Sequence, residues 1–118
     1  MVLMAGGDRT QAHQALVRFC TEYLAAQGAW YYKVHGLLSR PGCPDILAGM
    51  RDARTGLAVL LAIEAKTGNA RLSKVQEAER ERLEAVGAVY ILCRRPEDLE
   101  AGLLAAGLCA PILVGRKG

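Results

Sequence analysis

No apolar run in the sequence approaches the roughly 20 residues that a membrane-spanning helix needs. The longest, LAVLLAI at 57–63, ends after seven residues. The opening MVLMAGGDR holds too short an apolar stretch to serve as a signal peptide. Four cysteines (Cys20, Cys43, Cys93 and Cys109) contain no CxxC pair and match no zinc spacing. They are expected to be reduced thiols of a cytosolic protein, three of them filling the core. This disfavours a thiol-redox or zinc protein. Aromatic residues make up only 5% of the chain, which leaves the packing largely to Leu, Val and Ala. Internal repeats and low-complexity segments are lacking as well.

What is present is the composition of a globular domain, with 52% hydrophobic and 23% charged residues in 118. That length fits one domain spanning 1–118, with 1–8 and 115–118 expected to be flexible. The net charge of +3 permits an anionic partner without demanding one.

Residues 9–26 read as a helix, because Leu16, Phe19, Cys20, Tyr23 and Leu24 recur along one face and Gly28 follows as a stop. WYYKV (30–34) has strand composition, and HGLLSRPGCP (35–44) is a loop. DILAGM (45–50) and LAVLLAIEA (57–65) form two strands joined by RDARTG. A second helix opens at Ser73, where Ser73 and Gln76 fit a capping box. Val75, Ala78 or Glu79, Leu83 and Val86 supply its apolar period, and Gly87 ends it. AVYILC (88–93) is continuously apolar and predicts a central buried strand. Glu97–Ala106 is a last helix, and PILV (111–114) a short strand. The order α-β-β-β-α-β-α predicts an α/β fold with a mixed sheet flanked by helices.

One stretch, LLAIEAKTG at 60–68, stands apart. It ends an apolar strand with Glu64 and Lys66, two groups that cost several kcal/mol to desolvate unless paired or bound. Alternation places both on one side of the strand, about 6.7 Å apart. If the hairpin loop is centred on Arg54-Thr55, Asp45 lies across from Glu64; a slip of two in register would still gather two carboxylates and a lysine at the open end. Two carboxylates converging on one point suit a hard divalent cation such as Mg²⁺, which keeps several waters for substrate. A lysine beside them can orient or deprotonate an attacking water, or offset charge developing on a phosphate. The set describes phosphodiester hydrolysis. An isolated E-x-K is more often a surface ion pair of little energetic weight. Pro44-Asp45 at the paired position, and the apolar strand, shift the balance toward a site.

These residues resemble the PD-(D/E)xK nuclease superfamily, and more narrowly the VRR-Nuc nucleases. The similar segments are KVHG (33–36), GCPDIL (42–47), IEAKTG (63–68), RLSKVQ (71–76) and GAVYIL (87–92), in family order. The resemblance implies a restriction-endonuclease-like fold and a DNA endonuclease dependent on Mg²⁺ or Mn²⁺. It implies Asp45, Glu64 and the Ala65 backbone carbonyl as metal ligands, Lys66 as the catalytic lysine, and Gln76 as a residue shaping the site. It also implies a homodimer selective for branched DNA such as four-way (Holliday) junctions. Alternatives are a flap, nick or general duplex nuclease of the same fold, and a DNA-binding module that does not cut.

Many relatives carry a glutamate near the start of the first helix. Here His13 stands near that place, although a surface helical histidine is the commoner reading. Lys33, Arg40, Arg71 and Lys74 flank the motif as candidate DNA contacts. His35 is either a substrate contact or a plain loop residue. Arg80 and Arg82, interleaved with glutamates, read as a solvated helix face.

Overall fold

The β2–β3 hairpin organises the molecule. In the computed structural model, which describes residues 2–35 and 40–108 with side chains from Thr10 onward, β2 (Ile46–Arg51) runs antiparallel to β3 (Ala58–Ala65). Asp52 sets the turn: its Oδ1 accepts the Arg54 N–H at 2.9 Å, and its carbonyl accepts the Gly56 N–H at 2.7 Å. Gly56 takes φ +76°, a conformation that glycine alone adopts without strain. This turn locks the pairing from Arg51↔Ala58 to Ile46↔Ile63. The next position along carries Asp45 opposite Glu64, as the loop length predicts.

β1 (Trp30–Lys33) adds antiparallel to β2, and β4 (Val89–Cys93) adds parallel to β3, giving the order β1-β2-β3-β4. The parallel step needs a crossover, supplied by α2 (Lys74–Ala85). With α1 (Val2–Ala26) and α3 (Pro96–Ala105), the element order is the α-β-β-β-α-β-α expected. α1 begins well upstream of residue 9 and runs through Gly6 and Gly7. Glycine weakens a helix by about 1 kcal/mol without having to end it.

The inner face of the sheet carries the core. Ile46, Ala48, Leu61, Ile63, Ile91 and Cys93 pack against Leu16, Cys20 and Leu24 of α1 and Leu99 and Leu103 of α3. Each fully buried Leu or Ile contributes on the order of 1.5–3 kcal/mol. Cys20 and Cys93 fill this core, Cys43 is half-buried, and the three are free thiols. Cys109, the PILV segment and residues 115–118 lie outside the described residues.

Two expectations about packing are corrected. β4 is an edge strand among the described residues, not a central one. Its residues are apolar because α3 and α2 both pack on it, not because it has two strand neighbours. The α2 face also differs: Val75 and Val86 are exposed, and the residue that α2 buries is Glu79. Among the described residues, no helix is long and apolar enough to cross a membrane.

Candidate active site

Three elements converge where β2 begins and β3 ends. Pro44 is fully buried and anchors the chain entering β2. The Asp45 carbonyl accepts the Val34 N–H at 2.8 Å, extending the pairing just past the end of β1. The Asp45 carboxylate turns toward β3, where Oδ2 accepts the Ala65 N–H at 2.8 Å. From α1, His13 Nε2 reaches the same oxygen at 3.3 Å. The Asp45 carboxylate is therefore held through Oδ2 by a strand amide and a helix side chain.

Glu64 is 4% exposed and faces α2. Its Oε2 accepts from Gln76 Nε2 at 3.1 Å and lies 3.8 Å from Lys66 Nζ. Its Oε1 is buried with no hydrogen-bond partner among the described residues. Burial and then the neighbouring Asp45 charge push the Glu64 carboxyl up to about 7, against the pull of Lys66, the Asp45 backbone N–H and Gln76. β4 fixes the backbone of Lys66, whose N–H donates to the Cys93 carbonyl at 3.0 Å.

Gln76 does two things with one amide. Its Oε1 accepts the Ser73 N–H at 2.8 Å while the Gln76 backbone N–H donates to Ser73 Oγ at 3.1 Å, completing the capping box. The remaining NH₂ is thereby aimed at Glu64. The cap and the site role coexist because they use opposite ends of the side chain.

The structure thus gathers Asp45, Glu64, Ala65, Lys66, Gln76 and His13. The other candidates lie farther out. Lys33 lines a cleft beside Asp45 with His13, Gln14, Val17 and Val34. His35 stacks edge-on against Tyr32 at 6.3 Å between centroids. Arg40 pairs with Glu79 at 3.2 Å, and Lys74 lines the same groove. Arg71 is exposed on the segment before α2. Sequence reasoning missed Glu79 and Arg82 as a unit; their i,i+3 spacing was the available signal.

The donors fit a hard divalent cation. Both carboxylates offer oxygen, and Glu64 Oε1 is a buried anionic atom without a partner, which is costly unless something positive meets it. Among the described residues no group of three or more His, Cys, Asp and Glu side chains gathers around one point, so no closed zinc-type cage forms. Two carboxylates leave most of a cation's coordination to backbone, water and substrate, as Mg²⁺ prefers.

Searches of family models and of curated proteins found no match. A search of solved structures matched a chain described as a VRR_NUC domain, with a TM-score of 0.61 and 22% identity. The match covers 79% of this chain and 94% of that one. A four-stranded mixed sheet with a crossover helix beside the acidic end of β3, superposing at this level, leads to one conclusion: the chain has the restriction-endonuclease-like fold of a VRR_NUC domain.

Proposed function

We propose that this protein is a VRR-Nuc nuclease, a DNA endonuclease dependent on Mg²⁺ or Mn²⁺. The observation that carries the reading is the buried, unpartnered Glu64 Oε1 beside Asp45 and Lys66. Asp45 and Glu64, with the Ala65 carbonyl, would hold the ion. When bound, such an ion offsets charge on the phosphate and acidifies a water. Lys66 supplies a second positive charge next to that position, oriented by its contact with Glu64. Water gives up a proton as its oxygen attacks phosphorus, one P–O ester bond breaks, and the departing oxygen takes up a proton, so that one water is consumed per bond cut. Gln76 holds Glu64 in place, and His13 and the Ala65 N–H hold Asp45.

Branched DNA such as four-way junctions is the proposed substrate, and a homodimer the proposed working form. A feature of the outer sheet face supports a second copy. Trp30 and Tyr32 are 64% and 51% exposed, and Leu60 is 42% exposed across the sheet from Trp30. Leu47 and Gly49 lie between them, and the exposed Arg51 follows on the same face at the far end of β2. α2 covers only the β4 side of this face. Monomers rarely expose apolar patches beyond a few hundred Å². An apolar patch with its one charge, Arg51, at the margin can pack on a copy of itself, whereas a DNA-binding face would be basic throughout. It would form the apolar centre of an interface needing about 800 Å² per partner.

The test is a panel of end-labelled four-way junction, flap, nicked and linear duplex DNA, with Mg²⁺, Mn²⁺ or EDTA. Metal-dependent cutting of the junction alone is the expected outcome. Cutting of every substrate would retain the site and remove the selectivity. Binding without cutting would make this a binding module.

A further inference from the structure

A second cluster of charge lies on α2, outside the acidic centre. Glu79 is buried, and its Oε1 holds two guanidiniums: Arg40 Nη2 at 3.2 Å and Arg82 Nη1 at 3.5 Å. Both arginine side chains nevertheless remain open to solvent, 63% and 68% exposed. Each commits one nitrogen to Glu79 and keeps other N–H donors facing outward. Lys74 lines the same groove, with Pro41, Val75 and Ala78 as its floor.

Arg40 is brought there by backbone packing. Gly42 has φ +80°, and a Cβ on it would lie 2.6 Å from the Val75 carbonyl oxygen. The segment carrying Arg40 can dock on the first turn of α2 because residue 42 has no side chain. A single arginine would neutralise Glu79 as an ordinary ion pair. Two arginines and a lysine around one carboxylate leave a net charge of +2, which calls for an anion. Guanidiniums spread by a fixed carboxylate present the forked donors that phosphate oxygens accept.

Position identifies the anion. Gln76, which touches Glu64, precedes Glu79 by three residues, an axial rise of about 4.5 Å. A DNA strand carries one phosphate per about 3.4 Å of axis. A strand with its reacting phosphate at Glu64 and running along α2 would carry a neighbouring phosphate toward this groove. We propose that Arg40, Arg82 and Lys74 form a subsite for a flanking phosphate of the DNA strand, with Glu79 as the positioning residue that spreads the two arginines. This rests on the nuclease reading above.

The two roles open to Glu79 differ in sign. If Glu79 were only a negative charge near DNA, its removal would tighten binding; as an organiser of two arginines, its removal weakens binding. The experiment measures affinity for a short fluorescein-labelled duplex in EDTA across a salt series. Arg40→Gln and Arg82→Gln are each expected to lower the slope of log K against log[salt] by about 0.9. Glu79→Gln is expected to weaken binding and lower the slope, and Glu79→Asp to restore part of both. Should Glu79→Gln fail to fold, the double variant Arg40→Gln/Arg82→Gln, altered only at exposed side chains, carries the test through its slope. Unchanged slopes, or tighter binding by Glu79→Gln, overturn the subsite while leaving the acidic centre intact. A wild-type protein that binds no DNA overturns both.

Discussion

Replacing Glu64 by Gln should make the metal-free protein more stable at pH 8. In the unfolded chain this carboxyl titrates near its ordinary 4.5, whereas burial and Asp45 raise it to about 7 in the fold. Between those values the native state keeps a proton that the unfolded state has lost, so stability falls as pH rises through the window. Below about pH 4.5 the cost is absent, and above about pH 7 it is complete. The gap from 4.5 to about 7, at about 1.36 kcal/mol per pH unit, sets the cost at about 3 kcal/mol. That is an upper value, since the neutral amide of the variant would also forgo the ionic contact with Lys66. Urea unfolding of both proteins in EDTA at pH 5, 6 and 8 isolates the term, because every other titrating group is shared. The wild type should lose ground to Glu64→Gln from pH 5 to 8. Saturating Mg²⁺ or Mn²⁺ should reverse the order, since a ligand at 100 times its Kd adds about 2.7 kcal/mol to the state that binds it. A variant less stable at pH 8, or a difference independent of pH, would refute the placement of Glu64 as a buried carboxylate awaiting a cation.

Three further outcomes are expected. Lys66→Ala should abolish cleavage while leaving DNA affinity largely unchanged; retained cutting removes Lys66 from the chemistry. His13→Ala removes one of the two hydrogen bonds to the Asp45 carboxylate, worth about 1 kcal/mol, so cleavage should slow roughly five- to tenfold. A loss in His13→Ala as large as in Asp45→Ala would show that His13 does more than hold a carboxylate. Trp30→Glu puts two like charges face to face across the proposed dimer, so its solution mass at micromolar concentration should be that of a monomer beside a dimeric wild type. A wild-type monomer refutes the dimer.

The acidic centre was legible because its geometry is local. A short turn between two apolar strands determines their register, so the opposition of Asp45 and Glu64 follows from counting residues. The Ser73–Gln76 cap was legible for the same reason, being closed within four positions. What sequence could not supply depends on contacts distant along the chain. The approach of His13 to Asp45 spans 32 positions and depends on how α1 crosses the sheet. Arg40 and Glu79 are 39 apart and meet through the docking of Gly42 on Val75. The α2 run of alternating acids and bases looks solvated because periodicity reports apolar faces, and here the buried member is a carboxylate. β4 misled for a related reason: apolarity on both sides of a strand signals two covered faces, and says nothing of how many strands adjoin its edges.

Asp45, Glu64 and Lys66 are proposed to hydrolyse DNA with the help of a divalent cation. Single-turnover cleavage of labelled four-way junction DNA by wild type and Glu64→Ala, with Mg²⁺ or Mn²⁺ and with EDTA, tests it most directly when the DNA affinity of each protein is measured alongside. The expected result is cutting by the wild type only with metal, and none by a variant that still binds. Cutting in EDTA, or undiminished cutting by Glu64→Ala, would contradict it.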